Sequence, residues 1–342
     1  MGGHMSLKNI DSIPLHRVAV LRPFANFLAD VGAPVERGFR QAGLPMYSLD
    51  DINNYIPSHR FWTFLIDMAD REGIPNLGFH VGQKYGAKCA DPKITELLRR
   101  EPTVYQGLSR ASNFINRTIS HCQVGLVSPP QSKFTYFYHS PSCDSQNMAI
   151  HQIGWFGVMT LIGLVRECIG PLWQPDEIGL MTDFTPSRDI RDQFPGTRIR
   201  HKQPYSYIAL EPALLSRQPL GYTSADPVSP LLRDECLPKD FICSLTKVLH
   251  SYIHESDLNL KFTAELCGFS KRSLQRKLQE SGTNFTNIMD SVRYDVASEM
   301  LKKSDMKVTD IAHTLGYSDS GHFTRTFRRI SGTTPLEYRK QQ

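Results

Sequence analysis

Two short stretches crowd side chains that can grip a nucleic acid. Lys271, Arg272, Arg276 and Lys277 fall within seven residues with no acid among them, with Ser273 and Gln275 interspersed. Arg325, Arg328 and Arg329 fall within five, preceded by Ser320, Gly321, His322 and Thr324. Arg and Gln can make paired hydrogen bonds to guanine or adenine edges in a major groove, whereas Lys, Ser and Thr more often hold phosphates. A single such cluster is usually a solvated helix face. Two clusters at matching positions of a repeat argue instead for a target that is itself repeated.

The repeat has explicit register. Ala264, Gly268, Phe269 and Ser270 match Ala312, Gly316, Tyr317 and Ser318, all 48 residues apart. After one inserted residue, Leu274 and Leu278 match Phe323 and Phe327 at 49, and Gly282 matches Gly332 at 50. A helix-turn-helix needs these types: a small Ala where two helices approach, a Gly for the positive φ of the turn, a Ser to cap the second helix. Leu274/Leu278 and Phe323/Phe327, spaced i and i+4, then anchor each second helix to the core. The spacing predicts helices at 239–254, 261–266, 271–280, 284–303, 308–314 and 319–329. In the long connecting helix Phe285, Ile288, Val292, Val296 and Met300 form the expected apolar stripe. A helix of roughly 20 residues is about 30 Å long, close to the roughly 34 Å between successive major grooves on one side of B-DNA. One polypeptide could therefore enter two adjacent grooves of double-stranded DNA.

The rest of the chain bounds the alternatives. With 342 residues the chain favours two domains, and 40% hydrophobic with 21% charged residues is ordinary globular composition. Bulk charge decides little: residues 227–342 hold 17 Lys and Arg against 14 Asp and Glu, net +3, and residues 1–226 hold 22 against 20, net +2. The longest apolar candidate, 153–165, is too short to span a membrane and reads as a buried helix. No membrane partner is expected, and the cytoplasm is the expected compartment. Cys89, Cys122, Cys143, Cys168, Cys236, Cys243 and Cys267 are dispersed and never form Cys-x-x-Cys, which argues against a disulfide framework or a closed zinc site. His250 and His254 have a metal-compatible spacing but no third ligand nearby, and Ser251 stands where a metalloprotease needs Glu. No catalytic motif, metal or cofactor is expected.

Residues 1–5 read as an expression-tag remnant and 216–237, rich in proline and serine turns, as a linker. The expected fold class is α+β: a mixed α/β regulatory domain over 6–215, then an all-α domain over 238–342 with two helix-turn-helix units joined by a linker helix. The first domain is expected to have helices at 14–31, 57–72, 102–120 and 148–169 and strands at 121–127, 133–139, 178–184 and 199–210.

Residues 238–340 resemble the DNA-binding domain of the AraC/XylS family of bacterial transcription regulators. The most specific part is "VTDIAHTLGYSDSGHFTRTFRRISGTTPLEYR", 308–339, with Arg293, Ala297 and Leu301 at the family's linker-helix positions. The resemblance implies that Arg272, Gln275 and Arg276 face bases in one groove and Ser320, Gly321, His322 and Arg325 in the next. Gly321 offers no side chain, so readout there falls to Arg325, His322 and Ser320. Lys271, Ser273, Lys277, Thr324, Arg328 and Arg329 are left to the phosphates. Residues 1–215 are similar, more weakly, to the effector-binding or dimerisation domain of one branch, in 55–65, 76–83, 100–117 and 203–220. That implies a small-molecule effector, a homodimer in many relatives, and RNA polymerase as partner of an activator. Phe61, Trp62, His80, Tyr136, Trp155 and Phe156 are candidates to line an apolar pocket, each also explicable as core. Two other readings stay open: a regulator controlled by a protein partner alone, and an alkyl-transfer repair enzyme, which would need a cysteine of lowered pKa.

Overall fold

The computed structural model describes residues 12–51, 53–89, 92–119, 122–141, 147–223, 240–255 and 258–341. In chain order the elements before residue 224 are β1 (Leu15–Arg17), α1 (Val18–Asp30), α2 (Val35–Ala42), β2 (Tyr55–Pro57), α3 (Ser58–Arg71), α4 (Leu77–Tyr85), α5 (Pro92–Arg100), α6 (Val104–Thr118), β3 (Cys122–Val127), β4 (Thr135–Pro141), α7 (Asn147–Ile169), β5 (Glu177–Gly179), α8 (Arg188–Asp192), β6 (Arg198–Arg200), β7 (Ser206–Leu210) and α9 (Pro212–Leu215). Then come α10 (Phe241–Ser251), α11 (Leu260–Leu266), α12 (Lys271–Glu280), α13 (Phe285–Lys303), α14 (Val308–Thr314), α15 (Ser320–Ser331) and α16 (Pro335–Lys340). The chain divides into two compact units, one of residues 14–53 and 58–237, the other of 238–342 with 1–13 and 54–57. Most of the expected linker, and the boundary at 238, lie outside the described residues, as does the expected tag.

The α/β unit is built on a five-stranded sheet in the order β3-β4-β7-β5-β6, antiparallel except for the parallel β5–β6 pair. The strand β4 alternates buried and half-exposed residues, so one face of the sheet packs on the core. Helix α7 supplies much of that core through Trp155, Val158, Ile162, Leu164 and Val165, all fully buried with Phe137 of β4 and Ile208 of β7. Residues Ala149–Ile169 of α7 are, among the described residues, the one stretch long and apolar enough by composition to cross a membrane, longer than the 153–165 run expected. Trp155, Val158, Leu161, Ile162, Leu164 and Val165 of this stretch are buried within the unit.

Three expectations here need correction. The helix expected at 14–31 begins as β1, and α1 starts only at Val18. The strand expected at 178–184 is the three-residue β5. The strand expected at 199–210 is two, β6 and β7, pairing on opposite sides of β5; Lys202, at φ 55° in the left-handed region, and Pro204 break it between them. Helices α2, α4 and α5 were not expected, being short and rich in glycine or charge.

In the helical unit each helix except α14 starts on a side-chain cap. Asp240 accepts from Cys243 N at 2.8 Å, Asn259 from Lys261 N and Phe262 N at 2.9 and 3.0 Å, and Asn284 from Asn287 N at 3.0 Å. Thr334 and Glu337 form a reciprocal capping box. Two short-chain contacts extend the unit: Ile13 N donates to Ser244 Oγ at 2.9 Å and Tyr55 N to Ser251 Oγ at 2.8 Å, both within it. The buried face of α13 is Ile288, Met289, Val292, Ala297 and Leu301, with Val296 and Met300 only half-buried. Steps of four residues turn about 40° past each full turn of 3.6, so the stripe expected through Val296 and Met300 walks off the packed face.

Candidate functional site

The two helix-turn-helix units close their turns in the same way. Phe269 N donates to Ala264 O at 2.7 Å and Gly268 N to Glu265 O at 3.2 Å; Tyr317 N donates to Ala312 O at 3.0 Å and Gly316 N to His313 O at 3.0 Å. This paired closure requires a left-handed residue, and Gly268 and Gly316 both sit at φ 77°. Placing Ala at Gly316 is expected to destabilise the helical unit by about 1–2 kcal/mol, the left-handed penalty for an L-residue. A thermal-unfolding midpoint unchanged from wild type would contradict it.

The one-residue insertion of the second unit lies at the cap. Ser270 caps α12 through Ser273 N at 3.1 Å, as expected. Its sequence match Ser318 does not cap α15. Asp319 does, accepting from Gly321 N at 3.0 Å and His322 N at 2.8 Å. Those amides hold the Asp319 carboxyl below its ordinary pKa, with Arg325 helping. Counted from Ser270 and Asp319, the caps are 49 apart, the same offset as the buried anchors. Leu274 and Leu278, and Phe323 and Phe327, are all essentially solvent-free. The anchors fix which faces of α12 and α15 turn outward.

On α12, Lys271, Arg272, Gln275 and Arg276 are exposed, with Ser273 and Lys277 half-buried. On α15, His322, Arg325, Arg328 and Arg329 are exposed, with Ser320, Gly321 and Thr324 half-buried. Arg276 lies 3.6 Å from Glu280 and Arg325 3.8 Å from Asp319, but all four side chains are more than half exposed. Such pairs contribute little, so both guanidiniums can be recruited by another partner. Several phosphate candidates are more firmly held. Lys277 lies over the Phe241 ring at 5.2 Å, Ser273 and Ser270 share a hydroxyl contact at 2.8 Å, and Thr324 Oγ1 donates to Ser320 O at 2.9 Å. Arg329 bonds Asp290 of α13 at 2.6 Å, and that carboxylate side chain is only 15% exposed. Arg329 thus ties α15 to α13 although its own side chain is 61% exposed, and Arg328 beside it is also exposed. Sequence reasoning missed this pairing because Asp290 and Arg329 are 39 residues apart. Arg293 also serves the second unit: its guanidinium lies 4.8 Å over the Tyr317 ring.

The other expectations resolve around the α/β unit. A cavity of about 120 Å³ opens within it, and Phe61, Trp62 and Phe156 line it as expected. Trp155, His80 and Tyr136 do not: Trp155 is buried edge-on to Phe79, His80 stacks on Phe27, and Tyr136 stacks on Tyr207 at 4.1 Å. The polar wall residues His16, Arg17, His139 and Thr160 carry no local sequence signal, since they come from β1, β4 and α7. In the helical unit His250 lies 3.5 Å from Asp295, and among the described residues no group of three metal-ligating side chains gathers. Burial pushes the Cys168 thiol up to about 12, the opposite of what a reactive cysteine needs.

Comparison with known proteins agrees with both units. The family described as the arabinose-binding domain of AraC transcription regulators, N-terminal, matches residues 32–219, and a helix-turn-helix domain family matches 249–341. The transcriptional activator NphR of a Rhodococcus species is 30% identical over 95 residues, 28% of this chain and 28% of its own. The ornithine utilization regulator of Pseudomonas aeruginosa is 38% identical over 71 residues, 21% of each chain. The matched part thus spans about a quarter of the length of these curated relatives. Among solved structures, the transcriptional regulator CdpR from Pseudomonas aeruginosa is 17% identical with a TM-score of 0.45, covering 94% of this chain and 98% of its own. An AraC-type regulator from Chromobacterium violaceum is 28% identical with a TM-score of 0.27, covering 28% of this chain and 87% of its own. With the arabinose-binding family matched over more than half of its 342 residues, and the helix-turn-helix family matched over its duplicated unit, this chain belongs to the AraC family of DNA-binding transcription regulators.

Proposed function

We propose that α12 and α15 read two successive major grooves of double-stranded DNA, and that a small molecule held in the cavity of the α/β unit controls that reading. The observation that carries the first part is the matched geometry of the two units: the same turn closure, the same φ at Gly268 and Gly316, and caps and anchors in one register. The connecting α13 has 19 residues, about 28 Å at 1.5 Å per residue, which suits adjacent grooves. Arg272, Gln275 and Arg276 take base edges in the first groove. Arg325, with His322 and Ser320, takes them in the second, and Lys271, Ser273, Lys277, Thr324 and Arg328 take phosphates. The control by a small molecule rests on the arabinose-binding family match and the cavity.

Arg276→Ala and Arg325→Ala test the assignment. Each is expected to weaken binding to a selected site by about 1–3 kcal/mol and to relax base preference at its own position, the two positions lying about one helical turn apart. Site selection from a randomised duplex library, run with each variant, reads this directly. If both changes weakened specific and random DNA equally, the base-reading roles would be withdrawn.

A further inference from the structure

The cavity walls are nearly all apolar, and most of their polar groups are already engaged. His16 Nδ1 and Ser58 Oγ are 2.7 Å apart, Arg17 bonds the Asn53 side chain, and Thr160 Oγ1 donates to Phe156 O at 2.8 Å. Two groups stand apart. His139, 3% exposed, has its Nε2 at 3.3 Å from Gly154 O, where as N–H it donates to the carbonyl; its other ring nitrogen has no partner among the described residues. The ring is pinned against α7, because a Cβ on Gly157 would fall 2.2 Å from its Nε2. Trp62, 7% exposed, carries a buried indole N–H with no partner among the described residues.

Buried polar groups are rarely left unmatched, and each exception calls for an explanation. With the proton on Nε2, Nδ1 of His139 is an acceptor, and the Trp62 indole can only donate. Burial lowers the His139 pKa to about 4, so the ring is neutral near pH 7 and offers no charge to an anion. Size narrows the ligand further. An apolar cavity of roughly 150 Å³ holds one benzene, and this one is about 120 Å³. Phe24, Phe61, Phe114 and Phe156 are among its wall residues.

We infer that the cavity takes a neutral, single-ring hydroxyl compound, a phenol or an alicyclic alcohol, whose O–H donates to His139 Nδ1. This rests on the reading of the cavity as the effector site. The hydroxyl proton supplies the donor that His139 Nδ1 lacks. A carboxylate has no proton to give His139 Nδ1 and would lose its hydration among largely apolar walls.

Calorimetric titration of the full-length protein with phenol, cyclohexanol, toluene and benzoate tests this. Phenol and cyclohexanol are expected to bind about tenfold more tightly than toluene, the worth of one satisfied hydrogen bond, and benzoate more weakly than phenol. His139→Phe is expected to bring phenol down to the affinity of toluene, and His139→Gln, which keeps an acceptor, to retain most of it. Near-ultraviolet circular dichroism of each variant, which reads the aromatic packing of the α/β unit, reports that this unit is folded, and the wild-type series stands even where a variant is not. Toluene matching phenol, or benzoate exceeding it, would overturn the hydroxyl assignment while leaving the cavity as an effector site. Absence of heat with all four probes would overturn the cavity reading itself.

Discussion

Replacing Phe323 with alanine is expected to lower the stability of the helical unit by about 3–5 kcal/mol, and replacing its counterpart Leu274 by about 2–5 kcal/mol. Phe323 is 1% exposed and packs edge-on against Tyr317 at 5.4 Å and against Phe327 at 5.8 Å. Phe327 in turn meets Tyr338 of α16 and Tyr294 of α13. The aromatic side chain therefore joins α15 to the elements that hold it. Its loss leaves a void that its rigid ring neighbours fill poorly, which puts the effect at the upper end. The measurement is the urea midpoint of the helical unit followed by circular dichroism in the full chain. A loss under about 1 kcal/mol for Phe323→Ala would mean that α15 is positioned by something other than its i and i+4 anchors.

The same residues show what could be read beforehand. The helices 271–280 and 308–314 were legible to the residue because anchors, turn glycines and polar faces all speak within one or two turns of chain. The cap of α15 was not, because the insertion could fall on either side of Ser318, and only the hydrogen bonds of Asp319 decide it. Arg329 looked like one more surface cation because charge type says nothing about a partner 39 residues away. In the α/β unit the signal weakens for the same reason. Phe61, Trp62 and Phe156 could be guessed as pocket walls by residue type. Trp155, one residue earlier on α7, faces the core instead, since neighbouring helical residues point about 100° apart. His139 became meaningful only when β4 brought it against Gly154 and Gly157 of α7. Long-range pairing, not local pattern, makes that site.

Binding of the full-length protein to a short duplex of arbitrary sequence is expected to fall about a thousandfold between 50 and 200 mM salt, the response of roughly six neutralised phosphates. The cations available for this are Lys271, Arg272, Arg276, Lys277, Arg325 and Arg328. On nonspecific DNA the base-reading arginines have no preferred edges and can serve as phosphate contacts too. Arg328→Ala should reduce the slope of log K against log salt by about one. Arg329→Ala should reduce it less, because the Asp290 carboxylate at 2.6 Å already neutralises that guanidinium. Its main effect should be on stability instead, since the largely shielded Asp290 loses its partner. Equal slopes for the two variants would return Arg329 to the phosphate-binding set, and a salt-independent wild type would remove the electrostatic basis of the interface. The contrast between two adjacent arginines of like exposure separates charge that faces DNA from charge that holds the recognition helix in place.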